Sequence, residues 1–245
     1  MLYCRGLQRT SHAGRPDCAA GMPHALSQLG VPMQAIKWIA IAGLAALALA
    51  AVAYPLAILP WHTRWGATDA ELRQALPGDE LVPQPKTNAT RAITIEAPPA
   101  EVWAWLVQIG QGRGGFYSYD RLENLVGCDI HSADRIVPEL QRLEVGDKVR
   151  MMPEGQPMPP PWNVVAVDPG RSLVLENGGA GELAHSTWAF VVQEAGPGAT
   201  RLTVRSRGDW QPGLMNTIMW RMVEPVSFFM EQGMLRGIRQ RAEAA

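Results

Sequence analysis

Apolar and polar positions follow three different rhythms along this chain, and each rhythm predicts a different kind of element. From Trp38 to Leu59 no charged residue occurs. At about 1.5 Å per residue that run covers about 30 Å, the thickness of a bilayer core, and a buried soluble helix rarely stays apolar all round for such a length. It predicts a transmembrane helix, with Trp38 and Trp61 as interfacial aromatics and with Pro55 tolerated near its far end. A period of two appears at Thr90 to Glu96, where Ile93 and Ile95 alternate with polar neighbours. It returns in Lys148 to Met152, Asn163 to Val167, Ser172 to Glu176, Ser186 to Gln193 and Thr200 to Arg207. Turn signals at Pro153 to Pro161, Pro169-Gly170, Asn177-Gly178-Gly179 and Gly196-Pro197-Gly198 separate these strands, as in an antiparallel meander. In the last two strands Trp188, Phe190 and Val192 face one way with Leu202 and Val204, against outward Arg201, Thr203, Arg205 and Arg207. One sheet face is expected to be wet and the other covered.

Helical spacing supplies the rest. Pro98 and Pro99 end the first strand and pre-set a helix in which Val102, Trp105, Leu106 and Ile109 share a core face. A glycine-rich corner leads to a second helix, Tyr119 to Leu125, and His131 to Val145 reads as loop with at most a helical turn. The closing helix is expected from Pro225 to about Arg241, with Val226, Phe229, Met230, Gly233, Met234, Gly237 and Ile238 on its packed face. Gly233 and Gly237 each cost about 1 kcal/mol of helix propensity, which predicts a sheet face or an enclosed ligand close to the backbone there. Between the last strand and this helix, Gly213 to Val223 is apolar at seven of eleven positions and includes Met215, Met219 and Met222. Because Pro225 disfavours the α conformation at Glu224, this stretch is expected to meet the helix at a break, as a mobile lid or membrane-resting flap, the alternative being extra core packing.

Ahead of the first strand, Trp61 to Thr90 is punctuated by Pro77, Gly78, Pro83 and Pro85, with a short helix from Thr68 whose cap is completed by Glu71. The chain thus divides into a disordered leader over 1–34, a transmembrane helix over 35–60, a Pro-rich stalk over 61–89 and an α+β domain over 90–244. The leader lacks apolar periodicity, and Met22 and Met33 are alternative starts. A cleaved signal peptide is the rival to the anchor, since Lys37 precedes the apolar core and Ala51-Val52-Ala53 has the small-x-small form. Apolar residues running on through Leu59 favour the uncleaved anchor. Lys37 with Arg5, Arg9 and Arg15 outweighs Arg64 and Arg73, although the count reverses close to the helix, so the balance leans to a cytoplasmic N-terminus and an extracytoplasmic domain.

Composition narrows the function classes. With 245 residues, 47% of them apolar, the chain suits one packed domain plus an accessory segment. A net charge of −1 with scattered basic residues excludes a nucleic-acid footprint. Cys4, Cys18 and Cys128 give no disulfide framework.

Strand, two helices, meander and one long closing helix is the order of the helix-grip fold. Trp65-Gly-Ala-Thr68, the Leu76-Pro-Gly-Asp79 turn, Arg91-Ala-Ile-Thr-Ile95, Val102-Trp-Ala-Trp-Leu106, Gln108-Ile-Gly-Gln-Gly-Arg-Gly-Gly-Phe-Tyr-Ser-Tyr-Asp120 and Thr187-Trp-Ala-Phe190 resemble bacterial membrane-anchored proteins of the SRPBCC superfamily, START-like and related to polyketide cyclase/dehydrases. The resemblance covers Trp61 to about Glu243. It implies a curved antiparallel sheet wrapped round a long C-terminal helix, with an internal pocket, and it carries no catalytic residue over.

Candidate chemistry is sparse. Gly110-x-Gly112-x-x-Gly115 spells the dinucleotide fingerprint but follows a helix where the fingerprint must follow a strand. Arg113 could hold a carboxylate or phosphate head group, its structural alternative being a pair with Asp120 or Glu123. Cys128, Asp129, His131 and Asp134 crowd one loop without a known metal spacing. His185 beside Ser186 lacks an elbow and an orienting acid. Tyr117, Tyr119, Trp188 and Phe190, with Met215, Met219, Met222, Phe229, Met230 and Met234, are the candidate pocket lining. No metal, cofactor or catalytic set is predicted, and nothing fixes an oligomeric state. The expected function is a membrane-anchored binding domain for a lipid or other hydrophobic small molecule. The alternative is a cyclase or dehydratase in which Tyr117, Tyr119, His131 or His185 works on a bound carbonyl compound. Inward strand positions that are almost all apolar favour binding.

Overall fold

The computed structural model describes residues 32–156, 159–179 and 182–244, so most of the expected leader, with Cys4, Cys18 and Met22, lies outside the described residues. The chain separates into two compact units, Met1–Ala53 and Tyr54–Ala245. In the first, α1 (Met33–Ala53) begins two residues ahead of the expected start, and nearly all its described side chains are exposed. The helical run Met33–Thr63 is long and apolar enough to cross a membrane.

The second unit is an α+β helix-grip domain. A π-helical turn, Tyr54–Ile58, leads into α2 (Leu59–Thr63) and then α3 (Asp69–Arg73). The Thr68 hydroxyl accepts from the Glu71 N–H while the Glu71 carboxylate accepts from the Thr68 N–H, so the expected reciprocal cap forms. β1 (Thr87–Ile95), α4 (Pro99–Val107), α5 (Asp120–Leu125), a 3-10 turn at Pro138–Leu140, β2 (Lys148–Val149), β3 (Trp162–Asp168), β4 (Ser172–Gly178), β5 (Ala184–Gly196), β6 (Ala199–Trp210) and α6 (Leu214–Ala242) follow. The six strands form one antiparallel sheet in the order β1-β6-β5-β4-β3-β2. β2 to β6 pair in chain order, through a long loop between β2 and β3 and short turns thereafter, and β1 closes against β6.

Register decides which side chains share a face. Ile93, Leu202 and Val192 stand in one row, Arg91, Val204, Phe190 and Leu173 in the next, and Ala89, Ser206, Trp188 and Leu175 in a third. These rows face α4 and α6 and form the core with Leu106, Ile109, Met234, Leu235 and Ile238.

The opposite face departs from the alternation argument. Arg205, expected outward in water, is 3% exposed. The segment expected as a stalk lies across this face. Arg205 donates to the carbonyls of Glu71 and Gln74 and pairs with Asp79 at 2.7 Å, Arg207 pairs with Asp79 at 2.8 Å, and Arg201 pairs with Glu71 at 2.7 Å. Leu76 and Val82 are buried beneath it. Alternation along a strand reports two faces, and it says nothing about what a distant segment lays over either of them.

The closing helix also differs. Leu214–Val223 is not a separate segment: it is the first part of a 29-residue α6 that runs through Pro225 without the expected break. A proline removes its own N–H from the ladder and crowds the carbonyl four residues back, yet here the helix continues on either side. The face of α6 turned inward carries Glu224, Phe228, Glu231, Leu235, Ile238 and Ala242, all buried. Val226 is exposed. Gly233 and Gly237 meet the 117–119 segment instead of the sheet, since a Cβ on Gly237 would run into the Tyr117 carbonyl oxygen and one on Gly233 would lie 2.7 Å from the Tyr119 ring. The sequence shows that something comes close but not which element does.

Candidate functional site

The concave face between the sheet and α6 is where this fold can enclose a guest. Most of it is apolar and packed shut, with Phe190, Leu202, Leu235 and Ile238 fully buried. Two surface depressions lie elsewhere, one of about 150 Å³ beside Arg150–Gln156 and one of about 550 Å³ along the outer face between Gln74–Pro77 and Val191–Glu194.

One end of the concave face is polar. Arg91, 2% exposed, stands in the inward row of β1. Its Nη1 donates to Glu231 Oε1 at 2.9 Å, its Nη2 to Glu224 Oε1 at 3.0 Å and its Nε to the His62 carbonyl at 2.8 Å. Glu231 Oε2 also accepts from Trp188 Nε1 at 2.9 Å and Ser206 Oγ at 3.1 Å, while Glu224 Oε2 accepts from the Tyr54 hydroxyl at 3.1 Å and lies 3.3 Å from His62 Nδ1. The His62 ring stacks on Phe228 at 4.3 Å, and the Arg91 guanidinium sits 5.2 Å over the same Phe228 ring. Two buried carboxylates thus share one arginine, and both belong to α6. With His62 neutral the group carries one net negative charge, and with His62 protonated it carries none. This spread over two carboxylates, several neutral donors and an aromatic face is how a buried ionic group avoids an unpaired charge.

The predicted lining separates into three sets. Trp188 and Phe190 stand in the concave rows, 4.7 Å apart between ring centroids, and Met234 packs with them in the core. Tyr117 and Tyr119 support α6 from outside those rows. The Tyr117 hydroxyl donates to the Trp105 carbonyl at 3.0 Å, and burial pushes its pKa up to about 12. Tyr119 stacks on Phe229 at 4.3 Å, next to the half-buried Met230. Met215, Met219 and Met222 do not line the interior at all, because they occupy the side of α6 turned away from the sheet. Arg113 is half-buried and spends its Nη2 on the Val107 and Leu140 carbonyls, at 2.9 and 3.0 Å. Burial pulls its pKa down. The expected partners are engaged elsewhere, Asp120 by Ser132 and Glu123 by Ser118.

The remaining motifs resolve plainly. Gly110 and Gly115 exchange both backbone hydrogen bonds, and the N–H groups of Gln111, Arg113 and Gly114 are taken by carbonyls, so the glycine corner has no cradle of free donors for a phosphate. Asp129 and His131 form an exposed pair, and no group of three potential metal ligands converges among the described residues. His185, expected to lack an orienting acid, does have a carboxylate partner, Glu176 at 2.7 Å on the neighbouring strand. The buried Arg91, Glu224 and Glu231 were missed because 133 and 140 residues separate the partners. The only local signal is Arg91 at an inward strand position and Glu224 and Glu231 seven residues apart on one helix side.

No family model and no curated protein matches the chain. Solved structures that it resembles include the Zhui aromatase/cyclase from Streptomyces sp. R1128, at 14% identity and a TM-score of 0.42 over 64% of this chain and 93% of that one. A Thermobifida fusca protein gives the same four values. MLL2253 from Mesorhizobium loti gives 15% identity and a TM-score of 0.39 over 65% and 98%. Likenesses at this level transfer no ligand and no reaction to this chain.

Proposed function

We propose that this chain is a membrane-anchored helix-grip protein of the SRPBCC kind, whose domain holds a lipid or other hydrophobic small molecule between the sheet and α6. The supporting observation is the uneven way α6 covers an apolar interior. From Glu231 onward the helix is largely buried, whereas before it only Glu224 and Phe228 are. The first half of the cover is therefore held by one ionic cluster and a few ring stacks, Phe228 on His62, Trp220 on Trp210 and Phe229 on Tyr119, and is the part that can lift with least loss of apolar contact. Trp38–Leu59 serves as the single membrane pass, with the N-terminus cytoplasmic and the domain outside. Native mass spectrometry of the full chain released from detergent should detect a co-purified lipid, and the delipidated chain should take up a fluorescent fatty acid at one per protein. Absence of both would remove the reading.

A cyclase or dehydratase acting on a bound polyketide-like carbonyl compound is the second reading. The convergence of Arg91, Glu224, Glu231 and His62 inside the domain favours it, since proton transfer needs ionisable groups there. Tyr117, the buried candidate acid, donates its hydroxyl hydrogen bond to the Trp105 carbonyl instead. Conversion of a poly-β-ketone thioester analogue, abolished by Glu224→Gln without loss of lipid uptake, would select the enzyme.

A further inference from the structure

In the first half of α6 the apolar side and the packed side are opposite each other. At 3.6 residues per turn, Leu214, Met215, Ile218, Met222 and Val226 share one side of the helix, and all five are exposed, Met215 at 76% and Met222 at 71%. Glu224 and Phe228 are on the other side, against α2 and β1. Among residues 214–229 Arg221 is the only exposed charged side chain, and it lies near Tyr54, at the rim of the apolar side next to Leu214 and Ile218. A soluble helix would be built the other way round, with its apolar side on its own domain.

Contacts inside the second unit set this helix beside the last residues of the apolar run. Tyr54 belongs to the uncharged run that ends at Leu59, and its hydroxyl bonds Glu224 in the middle of α6. Trp61 meets Phe228 with centroids 5.1 Å apart. Leu56, Ile58 and Trp61 are themselves exposed. The last residues of the run and the first half of α6 thus lie side by side, joined through the buried Glu224, and each has bare apolar surface on its exposed side.

We infer that Leu214–Val226 is a bilayer-docking face: the first half of α6 lies in the membrane interface beside the point where the anchor leaves it, apolar side down. The inference rests on the anchored reading above. A helix of this kind buries its apolar side to about 5–10 Å at the headgroup boundary, and tryptophans at that level, here Trp61, prefer the interface. Docking also places the loosely held half of the α6 cover against the phase from which a hydrophobic ligand would come.

The test uses the full chain grown with photo-methionine in place of methionine, reconstituted into phosphatidylcholine–phosphatidylglycerol vesicles and irradiated, with adducts mapped by mass spectrometry. Met215 and Met222 should carry phospholipid adducts at a yield several-fold above Met152 in the β2–β3 loop. Water adducts alone at Met215 and Met222, on chain that floats with the vesicles, would overturn the docking face and leave the anchor standing. Chain-to-chain crosslinks at these positions would overturn it in favour of a second copy. Chain that fails to float would overturn anchor and docking face together.

Discussion

Arg91 on β1 and Glu231 on α6 meet at 2.9 Å inside the domain, although 140 residues lie between them in sequence. The bond ties the closing helix to the edge strand of the sheet through a charge that cannot be left alone. Arg91→Met removes the only cation shared by two buried carboxylates, and should destabilise the domain by about 3–5 kcal/mol in urea unfolding of the detergent-solubilised chain. Adding Glu224→Gln and Glu231→Gln to it should recover a large part of that loss. A near-neutral single substitution would show that Arg91 holds nothing.

Gly237 faces the Tyr117 carbonyl oxygen, whereas Gly233 faces side-chain atoms, the Tyr119 ring and the Ser118 Cβ. Gly237→Ala should therefore cost more than Gly233→Ala, about 1–3 kcal/mol against less than 1, because overpacking against backbone has no easy relief. Equal melting temperatures for the two variants would contradict this packing.

Glu71 is held at about 2 by hydrogen bonds from Arg201 and Thr68, against an ordinary value of 4.5. A carboxylate lowered in the folded state adds stability that is fully present above the unfolded value and is lost as pH falls through the folded one. Between about pH 4.5 and 2 the parent chain should lose on the order of 1–3 kcal/mol more than Glu71→Gln. Parallel pH profiles would mean that the 64–86 segment is not latched to the outer sheet face through this residue.

Met215, Met219 and Met222 replaced together by serine should leave the melting temperature almost unchanged, since exposed substitutions fall within about 0.5 kcal/mol each. Uptake of a fluorescent fatty acid from vesicles should nevertheless slow. Unfolding would show that these side chains are covered in the working protein.

The helix-grip architecture was legible because its signals are local. Period-two runs between Gly- and Pro-rich turns gave the meander, and Thr68 with Glu71 gave a cap that forms atom for atom. What stayed hidden was what each element touches. Arg205 has the spacing of a solvated residue and is buried because the chain from Gln74 to Asp79 returns across it. Pro225 has the look of a helix start and sits in the interior, since the residues before it keep helical hydrogen bonding on their own. In the candidate site, Trp188, Phe190 and Met234 follow from strand and helix periodicity, while Arg91 and its carboxylates depend on contacts that no single stretch encodes.

The ends of the sheet have a consequence for how copies of the chain behave in company. On one side the outward N–H of Ala92 in β1 is already taken by the Trp65 carbonyl, and on the other the ladder stops in a β2 of two residues. An open sheet invites a neighbour to add a strand wherever a long row of donors and acceptors is left bare. Here the chain's own Trp65 takes a donor in the middle of β1, and the outermost strand on the other side is two residues long, so neither outer strand leaves a long uninterrupted row for a neighbouring copy to pair with.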